Sequence, residues 1–521
     1  MSQMLKSSGA MGAATLTSRV LGLVREMVYS RFMGNGWVAG AFILAFQVPN
    51  LFRRLLGEGA LTAAFIPIFK QKEKIEGDRE MWRAANAVIS GLVVVGAMVT
   101  GLVILVISFA LAIGSFEAKT RLMLELLRVM FPYMLLVCLT AVLIGMANAR
   151  GHFFVPALGA AMLNVVMIAS VLFLAPRLGA RLETQIFGLA IGVLVAGVAQ
   201  VSFQLPSLRR EGYRYGWVSP WRNETVREVV RKMLPGSIGV AAFQINVLIT
   251  QSFSFWFDTS IVATFNYAVR LMELPQGIFG ISLATYLLPA LAGLAAEKKY
   301  PEFRQTLAQA ISYLAFANLI AAAAALVLAE PIVRLIFEGG KFGPDATARV
   351  ALALVCLAPG LVFFSMVNIL ARAFYALNDI QTPMKISVAC LILNLIFALW
   401  LILPFREAGL GIANTLSAAC NVWLLLHALR RKLSRLEMAG LRRTLLTVLA
   451  AAVLTGELLV FFSRFWERGI GHETLPRKLG AVFVPMALAG LFYLSVNFWL
   501  KVQPARDILG LVRRRLDSPR E

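Results

Sequence analysis

The sequence predicts an all-α polytopic membrane protein of about fourteen transmembrane helices: two six-helix repeats around a central cationic cavity, plus two extra C-terminal helices. Three observations carry this expectation. The chain of 521 residues is 59% hydrophobic and 15% charged, with a mean hydropathy of +0.75, whereas soluble domains run about 45–50% apolar and about 25% charged. Uncharged runs such as "AVISGLVVVGAMVTGLVILVISFALAIG" (87–114) and "LGAVFVPMALAGLFYLSVNFWL" (479–500) reach the roughly 20 residues a helix needs to cross hydrocarbon. Two long stretches of the chain also repeat each other.

Taken in order, the spans centre near residues 20, 50, 100, 135, 165, 195, 245, 275, 318, 362, 392, 418, 453 and 490. The opening "MSQMLKSSGAMGAATLTSRV" has no apolar core before Arg19 and no cleavage pattern after it, so no removable signal peptide is expected. Cys138, Cys356, Cys390 and Cys420 all lie inside apolar runs, and His152, His427 and His472 are scattered. Neither set has the spacing of a metal site or a disulfide framework.

The repeat is marked by prolines. "FPYMLLVCLTAVLIGMANARGHFFVPA" (131–157) pairs with "APGLVFFSMVNILARAFYALNDIQTPM" (358–384), so that Pro132 and Pro359 are 227 apart, as are Pro156 and Pro383. Upstream, "VPNLFRR…FIPIFKQKEK" echoes "LPQGIFG…LLPALAGLAAEKK". This divides the chain into an N-terminal lobe at 1–220, a C-terminal lobe at 225–432, two further spans within 440–500 and a basic tail at 501–521. An even number of spans per half gives both halves one orientation, as in secondary transporters that work by alternating access.

An even total places both termini on one side. Loops on that side, with the termini, carry about 30 of the 50 Lys/Arg, against about 13 on the other. The positive-inside rule therefore puts both termini in the cytoplasm. The net charge of +22 is read as this topology signal plus attraction to anionic lipid. Its dispersal among short loops argues against a nucleic-acid partner.

Charges inside the spans bear on function. The stretch "AFQVPNLFRRLLGEGALTAAFIPIF" (45–69) has the length of a span, yet Arg53, Arg54 and Glu58 stand near its middle. A charge at the bilayer centre costs roughly 2.5–3.5 kcal/mol even on the lenient insertion scale. Arg19 and Arg25 lie in span 1, and Arg270 and Glu273 in span 8. At helical spacing Arg54 can pair with Glu58, and Arg270 with Glu273. Arg53 points about 100° from Arg54 and has no expected partner. Arg128 and Arg372 lie nearer span ends, where they can snorkel.

Five arginines against Glu58 and Glu273 leave a positive surplus, reduced if Glu26 pairs with Arg25. Unpaired buried cations are expensive, so an anionic substrate is expected to complete the balance. The planar guanidinium fork suits a phosphate or pyrophosphate. A cation-drug exporter would want carboxylates there instead. A glycosyltransferase would need a catalytic carboxylate on a sizeable outward loop, and the longest, "SRFWERGIGHETLPRK" (463–478), is short. The reading is a transporter without covalent chemistry, and a scaffold role stays open beside it.

"VPNLFRRLLGEGALTAAFIPIF", "SRVLGLVRE", "YAVRLMELPQGIFGISLATYLLPAL" and "FYALNDIQTPMKI" resemble the MurJ/MviN family of bacterial lipid II flippases, within the multidrug/oligosaccharidyl-lipid/polysaccharide exporter superfamily. The resemblance covers essentially the whole chain. It implies a flippase in the cytoplasmic (inner) membrane that moves the undecaprenyl-pyrophosphate-linked disaccharide-pentapeptide to the outer leaflet for peptidoglycan synthesis. The alternative is another polyprenyl-pyrophosphate-linked oligosaccharide. It also implies that Arg19, Arg25, Arg53 and Arg270 bind substrate, with an acid at Glu273; Glu273, together with the Arg54–Glu58 pair read from its spacing, is expected to set charge balance and gating.

The resemblance further implies that the last two spans hold the prenyl tail, and that membrane lipids and other cell-wall synthesis proteins are candidate partners. No cofactor or metal is expected, and coupling would draw on the membrane potential or a monovalent cation. The sequence departs from the family at Gly40, where relatives often carry an acid.

Overall fold

The computed structural model describes residues 2–54, 61–277, 282–433, 438–507 and 510. The described residues form eighteen α-helices and no strand beyond an isolated bridge between Gly339 and Phe342. They pack as two compact units, Met1–Ala263 with Gly339–Phe342, and Thr264–Glu338 with Gly343–Glu521.

The first unit holds α1 (Ser2–Met33), α2 (Trp37–Phe52), α3 (Leu61–Glu76), α4 (Asp78–Ile113), α5 (Ala118–Met130), α6 (Tyr133–Ala149), α7 (Phe154–Ala169), α8 (Leu182–Arg210) and α9 (Glu224–Phe257). The punctuation is chemical. Gly34, at φ +63°, ends α1, and its N–H donates to Ser30 O at 2.8 Å. Asn223 caps α9, its side-chain oxygen accepting from Thr225 N at 3.0 Å and Val226 N at 3.3 Å. The core between α3, α4, α6 and the start of α9 is apolar and aromatic, with Phe65, Phe69, Met81, Met146 and Val229 buried together. The turn Gly339–Phe342 closes on the end of α1. Lys341 N donates to Arg31 O at 2.9 Å, and a β-carbon on Gly340 would lie 2.3 Å from that same oxygen, so a side chain there is excluded.

The second unit contains most of α10 (Thr259–Pro275), then α11 (Ser282–Ala296), α12 (Tyr300–Val327), α13 (Ala329–Phe337), α14 (Pro344–Leu357), α15 (Gly360–Ala376), α16 (Gln381–Lys432), α17 (Met438–Gly469) and α18 (Leu475–Trp499). Its core gathers Phe303, Leu307, Leu314, Ile369, Phe374 and Leu425. The two extra helices are fixed to it at both ends. Arg334 on α13 bonds Glu467 at 2.8 Å, Lys478 bonds Glu338 at 3.0 Å, and Tyr493 OH donates to Phe316 O at 2.9 Å.

The proline repeat has a structural counterpart. The α5–α6 pair bends by 42° at the Phe131–Pro132 break and the α14–α15 pair by 44° at the Ala358–Pro359 break, where proline lacks the N–H that would continue the ladder. The turns that follow also match at the same offset. His152 N donates to Ala147 O at 2.9 Å and Asp379 N to Phe374 O at 3.0 Å, next to Gly151 at φ +87° and Asn378 at φ +56°. Among the described residues seven helices are long and apolar enough to cross a membrane, or nine if each bent pair is one span. This is compatible with the expected fourteen, because the broken and charged spans fall outside that test.

The second span departs from regular α-helix where it can be described. Of the stretch 45–69, α2 carries Pro49 and widens into a π-type turn at Arg53 and Arg54, residues 55–60 lie outside the described residues, and α3 begins at Leu61. The corresponding helix α10 ends in the same way after Pro275, with a π-type turn at Gln276 and Gly277. Between its two expected spans, α16 reverses at a single residue, Arg406 (φ +51°, ψ −127°). The arms then run antiparallel, with Ser417 Oγ donating to Cys390 O at 2.7 Å. A β-carbon on Gly409 would lie 2.2 Å from Leu401 O, so the reversal needs glycine there. Glu407, buried at the bend, is gripped by both ends of the Arg349 fork, at 2.7 and 2.8 Å.

Candidate functional site

Arg25 is the best-defined intramembrane cation. Its Nη2 donates to Glu26 Oε1 at 2.5 Å, and the two side chains are 13% and 8% exposed. The guanidinium also lies over the Tyr29 ring, 5.4 Å from its centroid. Tyr29 is held in turn by an aromatic row: edge-on to Phe42 at 6.0 Å, then Phe42 stacked on Phe46, and Phe46 against Tyr133. Across α1, Asn164 on α7 donates to Ser18 O at 3.1 Å. Arg25 Nε is buried and has no hydrogen-bond acceptor among the described residues. Leaving such a donor unsatisfied costs about 1–3 kcal/mol.

Two turns earlier on α1, Arg19 is exposed and makes no ion pair among the described residues. Arg53, at the end of α2, donates from Nε to Asn50 Oδ1 at 2.8 Å. This overturns the expectation that Arg53 has no partner at helical spacing. Asn50 stands three residues back on the same face, and a search confined to carboxylates passes over it. The bond is to a neutral amide and carries no compensating charge. Arg54 shares the widened turn with Arg53, whereas Glu58, its expected partner, lies outside the described residues.

On α10, Arg270 Nη1 donates to Glu273 Oε2 at 2.8 Å, as the three-residue spacing predicts, and the pair is 35% and 47% exposed. An exposed pair of this kind is weak, so its guanidinium can be recruited by a stronger anion. Arg128 and Arg372 are half-buried and make no ion pair among the described residues. The structure therefore ties Arg25 to Glu26, Arg53 to Asn50 and Arg270 to Glu273.

Gly40 marks a close approach. A β-carbon there would lie 2.4 Å from Thr259 O and 3.4 Å from the Phe255 ring. In this packing a carboxylate side chain has no room at Gly40, so glycine there fits the helix crossing.

At the opposite ends of the helices, charge pairing is denser and structural. Arg150 bonds Glu73 at 2.5 Å and Glu211 at 3.0 Å, and His152 meets Glu211 at 2.7 Å. His152 and then Arg150 hold the Glu211 carboxyl below its usual range, and Lys70 does the same for Glu73. In the second unit the equivalent turn reverses the signs. Asp379 accepts from Lys432 at 2.6 Å and from Thr382 N at 3.0 Å, and these bonds, Lys432 first, bring its carboxyl down to about 2. The sequence reading missed these clusters, although Arg150 and Asp379 both lie inside the repeated stretches 131–157 and 358–384.

The family model described as "Lipid II flippase MurJ" matches residues 29–480. A relative from Rhizobium tropici, described as a probable lipid II flippase MurJ, is 31% identical over 99% of this chain and 97% of its own. A solved structure of a lipid II flippase MurJ in an inward closed conformation superimposes with a TM-score of 0.78 at 20% identity, covering 96% of this chain and 99% of that one. An inward-facing multidrug resistance MATE family transporter of the MOP superfamily reaches 0.66 at 14% identity, over 82% and 99% of the two chains. These two likenesses speak for the fold.

Proposed function

We propose that this chain, which belongs to the MurJ family of lipid II flippases, carries undecaprenyl-pyrophosphate-linked peptidoglycan precursor from the inner to the outer leaflet by alternating access. It is a multi-pass transporter of the bacterial inner membrane and makes or breaks no covalent bond. The observation that supports the substrate chemistry most directly is Arg25: buried, paired with Glu26, and holding an Nε–H without an acceptor among the described residues. A pyrophosphate oxygen would satisfy that donor with a charge-assisted hydrogen bond.

Arg19 and Arg53 of the first unit and Arg270 of the second are assigned to substrate binding, with Arg270 leaving Glu273 as substrate arrives. Arg54 and Glu58 are assigned to charge balance in the broken second span. The excess of Lys/Arg in the loops after even spans supports cytoplasmic termini, hence loading from the cytoplasmic leaflet. A ligand shifts a two-state equilibrium only by its differential affinity for the two states. Repulsion among arginines, released on binding, provides that difference, and the membrane potential or a monovalent cation would reset the empty transporter.

The test is depletion of the protein in cells, followed by an assay of which leaflet holds lipid II, with complementation by wild type or Arg25→Ala. Precursor should accumulate on the cytoplasmic face after depletion. Wild type should restore outward delivery, and Arg25→Ala at normal abundance should not. Unchanged leaflet distribution after depletion would remove the assignment.

A further inference from the structure

We propose that the segment between α8 and α9, residues 211–223, is an interfacial anchor that binds anionic phospholipid headgroups. It is pinned along one face of α4. Tyr213 packs on Trp82 with ring centroids 5.3 Å apart, Asn86 Nδ2 donates to Arg214 O at 3.0 Å, and Ser90 Oγ meets Tyr215 OH at 3.2 Å. Val218 N donates to the same Ser90 Oγ at 3.4 Å, and Pro220 lies against Gly91. Trp82, Asn86 and Ser90 are four residues apart, so they form a single stripe. The segment climbs it for about 14 Å, given 1.5 Å per helical residue.

Where the segment leaves α4, the same stripe turns outward. Ala97 and Gly101 are exposed on it, and Val95, Met98, Leu102 and Phe109 are exposed beside them. That exposed apolar run is the part of α4 suited to hydrocarbon, so the top of the segment stands at the border between lipid tails and headgroups. At this level Trp217 and Trp221 are 61% and 66% exposed. Indole rings favour that depth.

The surrounding charge is of one sign. Residues 209–232 carry seven Lys/Arg and three Glu. Glu211 is committed to Arg150 and His152, and Glu228 to Lys232. Arg209, Arg210, Arg214, Arg222, Arg227 and Arg231 are exposed and make no ion pair among the described residues. Exposed indoles at the edge of a lipid-facing helix, ringed by arginines, fit an anionic headgroup better than a protein surface. The site holds whichever leaflet it faces, and its test involves no transport.

Full-length protein is placed in nanodiscs of brominated phosphatidylglycerol or brominated phosphatidylcholine, and tryptophan quenching is compared between wild type and Trp217→Phe/Trp221→Phe. The wild type should lose more fluorescence to bromine than the variant does, because two of its nine tryptophans lie at the interface. In parallel, native mass spectrometry counts phosphatidylglycerol and phosphatidylcholine retained by wild type and by Arg214→Gln/Arg222→Gln. The variant should retain at least roughly fivefold less phosphatidylglycerol, with phosphatidylcholine unchanged. Equal quenching of the two proteins would mean that the segment faces water or another protein, and would overturn the anchor even if the arginine variant failed to fold. Equal phosphatidylglycerol retention by a folded variant would overturn the headgroup assignment.

Discussion

Replacing Glu26 by alanine separates the structural from the substrate role of Arg25. Removing one partner of a buried ion pair typically costs about 3–5 kcal/mol, because the other charge is left stranded. The Tyr29 ring faces the guanidinium with or without Glu26, so it does not offset the change. The loss should be about 3–5 kcal/mol. Thermal unfolding of the purified protein in detergent measures it, with and without undecaprenyl pyrophosphate. Glu26→Ala should unfold at a lower temperature than wild type when ligand-free, and should gain more from the ligand, because the anion then supplies the missing negative charge. Glu26→Gln, which keeps the volume but not the charge, should show the same ligand effect with a smaller loss. If the alanine variant unfolds like wild type, the Arg25–Glu26 pair is energetically idle. If its gain from the ligand is no larger than the wild-type gain, Arg25 does not meet the pyrophosphate.

Arg270→Lys keeps the charge and can still meet Glu273, but it loses the planar fork. Losing one charge-assisted hydrogen bond of about 1.5–3 kcal/mol should weaken pyrophosphate binding by roughly 10–100-fold at unchanged abundance, and full complementation would show that local positive potential suffices. Arg349→Ala strands the buried Glu407 carboxylate and should destabilise the protein by about 3–5 kcal/mol. Adding Glu407→Gln should recover a clear part of that on a thermal-shift assay, and no recovery would mean that the fork acts by packing alone. The depressed Asp379 carboxyl contributes stability that is fully present above its ordinary range near 3.8 and is lost as pH falls through about 2. Acid unfolding curves of wild type and Asp379→Asn should therefore converge as pH drops from 4 to 2, and parallel curves would contradict the linkage.

What was legible in the sequence had a local cause. Pro132 and Pro359 mark the repeat, and because a missing N–H acts wherever proline falls within a helix, the two bends they make differ by only 2°. Arg270 and Glu273 could be paired because three residues on a helix always return to one face. Arg53 escapes the same rule because the helix widens at Arg53 and Arg54 and because its acceptor, Asn50, is a neutral amide rather than a carboxylate. Gly40 and the Arg349–Glu407 grip were out of reach for another reason. Each is decided by a contact between residues far apart in the chain, with Thr259 in one case and across 58 positions in the other. Periodicity says nothing about which distant backbone will pass by.

The reversal at Arg406 constrains chain length as well as shape. Inserting a single residue at the tip of the α16 hairpin would turn the returning arm by about 100° and slide it by about 1.5 Å. That carries Ser417 away from the Cys390 carbonyl and replaces Gly409 beside Leu401 with a residue that has a β-carbon. No loop exists there to absorb the change. Across homologues, residues 401–411 should therefore accept substitutions at exposed positions yet tolerate almost no insertions or deletions, and epitope tags placed there should abolish accumulation of the protein rather than reveal its sidedness.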